Sequence, residues 1–218
     1  EAETGWNYEL GIRNGFRVGK NRIFTEVAAY YFRLTNTLVQ RRDNSGADYF
    51  INSGNTNQKG IEVSAYSTLF SNASGFIEHV YVNAAYSFSH FRYGSFTKDT
   101  VDLSGKTMPS VPEHTVSFAM QLKAKNGLYM QPSFYSASKI FLNDANTDKA
   151  KPYHLIGMRL GFEKVFSKIR ANIYAGAENL LDEVYSLGND INDPRGRYYN
   201  TAAPRNYYAG ISLQFERQ

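Results

Sequence analysis

The sequence contains no cysteine and only one tryptophan among its 218 residues. The lack of cysteine excludes disulfide bridges, thiolate zinc sites and thiol catalysis. No stretch of the sequence approaches the roughly 18 uncharged apolar residues that a membrane-spanning helix needs, and mean hydropathy is −0.46. A helical membrane protein is therefore excluded. A membrane β-barrel is not excluded, because its strands alternate apolar and polar residues and average to a hydrophilic composition.

Strong charge of one sign is also lacking. The net charge is +4, from 24 Lys and Arg against 20 Asp and Glu, and the one dense basic run is at residues 40–42. A nucleic-acid-binding protein is expected to carry a basic stripe with a recognisable motif, so we predict no nucleic-acid partner. Aromatic residues, in contrast, are abundant, with 17 Tyr and 15 Phe. Tyrosine suits surfaces that are partly wet and partly apolar.

Patterns typical of catalysis or metal binding are absent too. Residues 144–149, D-A-N-T-D-K, resemble the start of a calcium loop but lack its glycine and its closing glutamate. Serines and carboxylates show no catalytic spacing, and no phosphate-binding glycine loop follows a strand. We therefore predict no enzyme activity, no cofactor and no metal site. The histidines also lack a metal-ligand spacing; they are His79, His90, His114 and His154.

Alternation of apolar and polar residues with a period of two dominates the chain and predicts β-strands. In residues 5–14, Trp6, Tyr8, Leu10 and Ile12 fall on one face and polar residues on the other. Helical periodicity is almost absent, so the fold class is all-β with about nine strands. The other predicted strands are residues 21–40, 60–69, 79–93, 114–123, 127–141, 154–164, 169–178 and 205–215.

The predicted loops alternate in length along the chain. Short turns at residues 16–20, 71–75, 125–127 and 167–168 alternate with long polar, irregular connections at 42–48, 94–112, 142–152 and 182–205. In an antiparallel sheet this rhythm places all tight turns at one end and all long loops at the other. Outer-membrane barrels have this arrangement, with short periplasmic turns and long extracellular loops. We predict a segment of an antiparallel up-and-down transmembrane β-barrel.

The strand count has a further consequence. If the last strand descends to the periplasm, the loop rhythm makes the first strand descend as well, so the count is odd. Bacterial single-chain barrels normally have an even number of strands, and lipid does not tolerate open sheet edges. No signal peptide is visible at Glu1. We therefore expect an internal or mature fragment whose remaining strands lie upstream or on another chain.

Four stretches, in order along the chain, resemble strands of TonB-dependent outer-membrane receptors. Residues 3–13 resemble the family's E-x-x-x-x-[YW]-E-x-G strand, and residues 52–63 resemble its strand that contains G-[IV]-E. The next-to-last strand of the family ends in N-L-[FL]-[DN]-x-x-Y, and its final strand begins with P-R and ends in an aromatic residue. The matching residues here are Asn179, Leu180, Leu181, Asp182 and Tyr185, followed by Pro204, Arg205 and Phe215.

The resemblance implies a transporter barrel of about 22 strands with a plugged lumen. Residues 1–218 are then its C-terminal part, and the N-terminal plug domain is not present in this chain. Such a receptor lies in the outer membrane of a Gram-negative bacterium and imports a scarce nutrient, often a ferric-siderophore complex. The implied partners are outer-membrane lipid, the remaining strands and plug, a TonB-type energy-coupling protein that engages the absent N-terminal part, and a small-molecule chelate.

The loop at residues 186–205 carries the candidate ligand-binding residues Arg195, Arg197, Tyr198 and Tyr199. Arginine and tyrosine together can hold an anionic, partly aromatic ligand such as a metal chelate. Arg41 and Arg42 lead into another long loop predicted on the same side. A solvated loop with charges is the alternative interpretation. Several charged residues are predicted to face the lumen. They either line the wall around a plug or pair across strands; they are Glu9, Arg13, Glu62, Arg159, Glu163, Arg170 and Glu178.

The polar end of the next-to-last strand has a structural interpretation. Asn179 and Asp182 are residues that hydrogen-bond turning backbone, and Tyr185 suits the headgroup level of a membrane. Two alternatives to the receptor remain open at this point. One is a passive porin or adhesin barrel, which needs no plug. The other is a soluble all-β module, such as a carbohydrate-binding sandwich, which needs one face of each strand to be packed in a dry core.

Overall fold

The structure is a computed structural model that describes residues 2–19, 21–43, 45–52, 54–71, 75–98 and 100–215. Throughout these ranges the chain forms strands, turns and loops, with no helical segment. Accordingly, no described helix is long and apolar enough to span a membrane. The described residues form seventeen strands: β1 (Thr4–Val18), β2 (Asn21–Thr35), β3 (Leu38–Arg42), β4 (Asp48–Asn52), β5 (Asn55–Ser71), β6 (Ile77–Tyr93), β7 (Thr97–Lys98), β8 (Val101–Asp102), β9 (His114–Ala124), β10 (Leu128–Ala137), β11 (Ile140–Phe141), β12 (Lys149–Ala150), β13 (Tyr153–Phe166), β14 (Ile169–Glu178), β15 (Ser186–Asn189), β16 (Tyr199–Thr201) and β17 (Asn206–Phe215).

Nine long strands form one sheet in the order β1-β2-β5-β6-β9-β10-β13-β14-β17. Every neighbouring pair is antiparallel, so the chain runs up and down across the sheet without crossovers. The predicted all-β fold with nine strands is confirmed. The eight remaining strands form four two-stranded hairpins within the long connections.

The long connections all lie at one end of the sheet, as predicted. Residues 36–54, 94–113, 138–152 and 179–205 join strands at this end, whereas the connections after β1, β5, β9 and β13 are short. The segregation follows from antiparallel pairing, because alternate connections must lie at opposite ends. Two of the predicted short turns include Lys20 and residues 72–74, which lie outside the described residues.

Strand ends differ from the prediction in several places; β1 extends to Val18 and β5 begins at Asn55. The strand predicted at residues 21–40 ends at Thr35, because Asn36 adopts a φ of 58° and the N–H of Thr37 donates to the carbonyl of Gly54 (3.2 Å). The strand predicted at 127–141 ends at Ala137. The long connections were also predicted to be irregular, but each one contains a hairpin. In a long loop that packs against other loops, the backbone N–H and C=O groups cannot all be hydrogen-bonded by water. A hairpin satisfies these groups by pairing them with each other.

The sheet has one apolar face and one polar face. In β1, Leu10 lies opposite Ala29 and Ile12 opposite Val27 on the apolar face, whereas Arg13 lies opposite Glu26 on the polar face. The apolar face is exposed, with 82% of Leu10 accessible. A soluble sandwich packs such a face against a second sheet, but the described residues form no second layer over it. An exposed apolar face suits a wall that contacts lipid.

The two clusters of buried apolar residues lie among the long loops. One cluster joins the first two loops, and a second joins the last two. We call the four long connections, residues 36–54, 94–113, 138–152 and 179–205, the loop cap. The first cluster contains Val39, Tyr93, Phe96 and Leu103, with Ile51 and Met108 packed against it. The second contains Ile140, Leu142 and Ala150, with Tyr198 packed against it.

Tyrosine–glycine pairs recur across strands on the polar face. At each glycine an added Cβ would collide with the ring of the tyrosine opposite. The missing side chain therefore lets the ring lie flat along the wall, an arrangement that protects the glycine backbone. The pairs are Tyr30 with Gly60, Tyr129 with Gly161, Tyr174 with Gly210 and Tyr208 with Gly176.

Replacing Gly161 with alanine is expected to displace the Tyr129 ring. The Tyr129 hydroxyl donates to Oδ1 of Asn172 (3.0 Å), so the displaced ring loses this bond. Overpacking of this kind costs about 1–3 kcal/mol. Urea unfolding of the full receptor in detergent measures the change. Gly188→Ala is the matched control, because no atom lies within 4 Å of its added Cβ; equal midpoints for the two variants would contradict the prediction.

Candidate functional site

Backbone and side-chain hydrogen bonds join three loops of the cap into one unit. Thr107 and Asn146 exchange two bonds, from the Thr107 N–H to Asn146 Oδ1 and from Asn146 Nδ2 to the Thr107 carbonyl (2.8 Å each). The N–H of Ser110 donates to the carbonyl of Phe141 (2.9 Å). The N–H of Asn192 donates to the carbonyl of Leu142 (2.9 Å). The loop at 138–152 therefore contacts both the loop at 94–113 and the loop at 179–205 directly.

Asp144 lies at the centre of this unit and is 3% exposed. Its Oδ1 accepts hydrogen bonds from the Tyr93 hydroxyl (2.6 Å) and from Asn192 Nδ2 (3.2 Å). Its N–H donates to Asn192 Oδ1 (3.0 Å). The residue that begins the calcium-like stretch thus receives protein donors from the end of β6 and from the last long loop. Across the part of the chain that the structure describes, no group of three or more acidic or histidine side chains has a metal-binding arrangement.

Asp193 shapes the turn that carries the two predicted ligand-binding arginines of this loop. Its Oδ1 accepts the N–H of Arg195 (2.8 Å) and the N–H of Arg197 (3.3 Å), and its side chain is 1% exposed. Both arginine residues are exposed, and Nη2 of Arg197 lies 4.0 Å from Asp193 Oδ2. A buried carboxylate therefore holds the backbone while two guanidinium groups lie on the surface.

The two predicted tyrosines lie in different environments. Tyr198 packs against the cluster around Leu142, its hydroxyl lies 3.5 Å from Asp148 Oδ2, and burial raises the pKa of Tyr198 above its ordinary value. Tyr199, opposite Asn189 in the last hairpin, is 60% exposed. Tyr199 is therefore available at the surface with the arginines, whereas Tyr198 contributes mainly to the packing of the cap.

Arg41 and Arg42 lie in β3, opposite Tyr49 and Asp48; their side chains lie outside the described part of the structure. Gly46 is in the turn of the same hairpin. Nη2 of Arg195 lies 3.3 Å from the position of a Cβ on Gly46, so the structure brings together the two loops that carry the predicted arginines.

Asp43 orders that turn. Its Oδ1 accepts hydrogen bonds from Ser45 Oγ (2.6 Å) and from the N–H groups of Gly46 (2.8 Å) and Ala47 (2.9 Å). The bond from the Ser45 hydroxyl, followed by the bond from the Ala47 N–H, lowers the pKa of Asp43. The turn that faces Arg195 is therefore held by an ionised carboxylate.

The polar end of β14 folds back on itself and on the last strand. Asn179 adopts a φ of 50°; its Oδ1 accepts the N–H of Glu183 and its Nδ2 donates to the carbonyl of Glu183 (2.9 Å each). Asp182 Oδ1 accepts the N–H of Arg205 (2.9 Å), which follows Pro204 just before β17. Both residues bind turning backbone, as their chemistry predicts. The N–H of Leu180 donates to the carbonyl of Ile156 (2.8 Å).

The aromatic residues of the same motif lie at the two ends of the sheet. Tyr185 stacks on Tyr153 with ring centroids 5.0 Å apart, at the end that carries the cap. Phe215 ends β17 opposite Ile169 and is 72% exposed. The motif therefore connects the next-to-last strand, the last long loop and the final strand.

Some charges on the polar face pair across strands. Glu163 Oε1 lies 2.9 Å from Lys123 Nζ and 3.3 Å from Arg170 Nη1. Arg13 Nη2 lies 2.7 Å from Glu26 Oε1. These pairs agree with the simpler of the two predicted roles for lumen-facing charges.

Comparison with known proteins gives the family. Residues 1–180 match the family model described as TonB dependent receptor-like, beta-barrel. The ferric preacinetobactin receptor of Acinetobacter baumannii has 18% identity, covers 96% of this chain and 29% of its own, and gives a TM-score of 0.71. The ferric yersiniabactin uptake receptor of Yersinia pestis has 18% identity, covers 98% of this chain and 30% of its own, and gives a TM-score of 0.68.

The unliganded ferric citrate transporter has 20% identity, covers 96% of this chain and 31% of its own, and gives a TM-score of 0.72. At such identities the likeness shows a shared fold. This chain spans about three-tenths of the length of the solved receptors that it matches. The match over residues 1–180 covers most of the chain, which therefore belongs to the family of TonB-dependent receptors, transport proteins rather than enzymes, and forms part of their β-barrel.

Proposed function

We propose that residues 1–218 are the C-terminal part of the barrel of an outer-membrane receptor that imports a scarce nutrient, such as a ferric-siderophore complex. The observation that carries the proposal is the folded loop cap. It presents exposed Arg195, Arg197 and Tyr199 at the end of the sheet opposite the short turns. In outer-membrane barrels the long loops are extracellular, so these residues face the side from which a nutrient arrives.

The sheet supports the partners proposed for the receptor. Its exposed apolar face suits outer-membrane lipid. Its edge strands β1 and β17 suit pairing with the remaining strands, since a membrane barrel leaves no edge open. A plug domain N-terminal to this chain fills the lumen and carries the segment that contacts a TonB-type protein. Transport then uses energy coupling, and no covalent step occurs in the barrel.

The ligand class is an anionic metal chelate. Similar receptors bear names that refer to ferric preacinetobactin, ferric citrate and ferric yersiniabactin. Guanidinium groups donate paired hydrogen bonds to carboxylate and other oxygen anions, and a tyrosine ring contacts the apolar part of a chelator. Arg195 and Arg197, two residues apart on a turn held by Asp193, provide such donors.

Replacing both Arg195 and Arg197 with alanine is expected to weaken binding of the cognate chelate by about 10–100-fold, since a hydrogen bond to a charged group contributes about 1.5–3 kcal/mol. The full receptor is tested in outer membranes with radioactive ferric citrate, ferric preacinetobactin and ferric yersiniabactin, and the chelate that binds the wild type is used for the variant. Lys151→Ala, which removes one exposed charge from a neighbouring loop, is the control.

Two results would count against the proposed function. If the double variant binds the chelate as tightly as Lys151→Ala does, the arginines are not the ligand site. If uptake continues unchanged after the TonB-type protein is deleted, the barrel is a passive porin.

A further inference from the structure

Arg159 is unlike its charged neighbours on the polar face. It lies in β13 opposite Gln131 and Gly176. Its guanidinium carbon is 3.7 Å from the ring centroid of Tyr174 and 6.0 Å from that of Tyr129. Its Nε is buried and has no hydrogen-bond partner. Within the described ranges Arg159 forms ring contacts but neither a hydrogen bond nor an ion pair.

The carboxylates near Arg159 do not neutralise it. Glu163 is already shared by Lys123 and Arg170. Glu178 lines the same cavity as Arg159, but the two do not form an ion pair. A half-buried guanidinium without an acceptor is unfavourable. The stacked position of Arg159 is therefore unexpected unless an acceptor comes from outside this chain.

The residues around the Arg159 guanidinium leave open space beside it. A cavity of about 400 Å³ lies beside it, and the small residues Ala119, Ser133 and Gly157 form part of its lining. A second cavity of about 130 Å³, lined in part by Gln121 and Asn172, also includes Arg159. Stacking on Tyr174 fixes the plane of the guanidinium, which leaves its Nη edge available for a planar, bidentate acceptor.

The distance of Arg159 from the loop cap indicates which molecule supplies its acceptor. Arg159 lies near the middle of β13 (Tyr153–Phe166), roughly 20 Å along the strand from the loop cap at about 3.3 Å per residue. A ligand held by the cap does not reach this depth. Outer-membrane transporters with barrels of about 22 strands have a lumen that is filled by protein. The surface opposite Arg159 is therefore that of the plug.

We propose that Arg159 is the docking point on the barrel wall for a carboxylate of the plug domain. An aspartate or glutamate side chain enters the larger cavity and accepts two N–H···O bonds from the guanidinium, while Tyr174 and Tyr129 hold the cation in place. The inference rests on the proposed function in one respect, that a plug fills the lumen.

A cross-linking experiment on the full receptor tests the contact. In Arg159→Lys, a water-soluble carbodiimide joins the introduced amine to any carboxylate that touches it, and mass spectrometry identifies the linked peptide. We expect an amide to an aspartate or glutamate of the plug domain. Arg170→Lys is the matched control and is expected to link to Glu163. Linkage of position 159 only to Glu163 or Glu178, or no linkage while the control links, would overturn the proposal.

A conductance measurement tests the energetic contribution. In Arg159→Gln the equilibrium for plug release in urea is expected to shift about tenfold, since the positive charge and one of the two hydrogen bonds are lost; ion current through the full receptor in planar bilayers reports release. Glu178→Gln is expected to behave as the wild type. Neither experiment uses a chelate or energy coupling, so a failure of chelate transport leaves both readouts intact. If Arg159→Gln impairs chelate uptake without a cross-link or a change in conductance, Arg159 contacts the passing ligand and the proposal is wrong.

Discussion

Replacing Asn179 with alanine is expected to destabilise the full receptor by about 3 kcal/mol. The variant leaves the N–H and the carbonyl of Glu183 without the two side-chain bonds that they make now. Asn179 is 4% exposed, so water does not readily replace these bonds. The residue also has a φ of 50°, a conformation that costs a residue such as alanine roughly 1 kcal/mol. Urea unfolding in detergent and the folded fraction in outer membranes measure the loss.

Two further variants separate the causes. Asn179→Gly loses the same hydrogen bonds but tolerates the positive φ, so its loss is expected to be smaller by about 1 kcal/mol. Leu181→Ala, at a neighbouring residue that is 51% exposed, is expected to change stability little. If Asn179→Ala and Leu181→Ala unfold at the same urea concentration, the hydrogen bonds of Asn179 do not hold this turn together.

Replacing Asp144 with alanine is expected to loosen three loops together. The buried Tyr93 hydroxyl loses its acceptor, and Asn192 loses a partner for its amide. Leaving buried donors unsatisfied costs about 1–3 kcal/mol each. Amide hydrogen exchange of the full receptor is expected to accelerate at residues 94–113, 138–152 and 179–205 by a common factor of about 100, because the Asp144 carboxylate binds Asn192 in the last loop and Tyr93, the residue that precedes the first.

Asp148→Ala is the matched control for this experiment. It removes an exposed carboxylate from the same loop, so the change in net charge is the same. We expect faster exchange mainly in residues 138–152, since Asp148 binds Asn143 and Thr147 within that loop and reaches the loop at 179–205 only through the Tyr198 hydroxyl at 3.5 Å. Acceleration confined to this one loop in Asp144→Ala would show that the cap does not behave as a unit.

Residue types determined part of the candidate ligand site, and tertiary contacts determined the rest. Arg195 and Arg197 lie on the surface, as expected of a polar loop. Their backbone is held by Asp193, a residue that no sequence pattern singled out. Tyr198 and Tyr199 are adjacent and chemically identical, yet one packs against Leu142 and the other is exposed. Which of the two turns inward depends on the loop that packs beneath them.

The sequence by itself determined the nine strands of the sheet, their two faces and the segregation of long loops. These features follow from residues two apart along a strand and from antiparallel alternation, both of which are local. The tertiary structure alone decided that Thr35 ends β2, that Tyr93 meets Asp144 across 51 residues, and that Arg159 stacks on Tyr174. These contacts join segments that are distant in sequence, so no local periodicity encodes them. The motif that contains Asn179 and Asp182 was determined partly by the sequence and partly by the tertiary structure. Its residue types predicted bonds to turning backbone, but only the folded chain brings the N–H of Arg205 to Asp182.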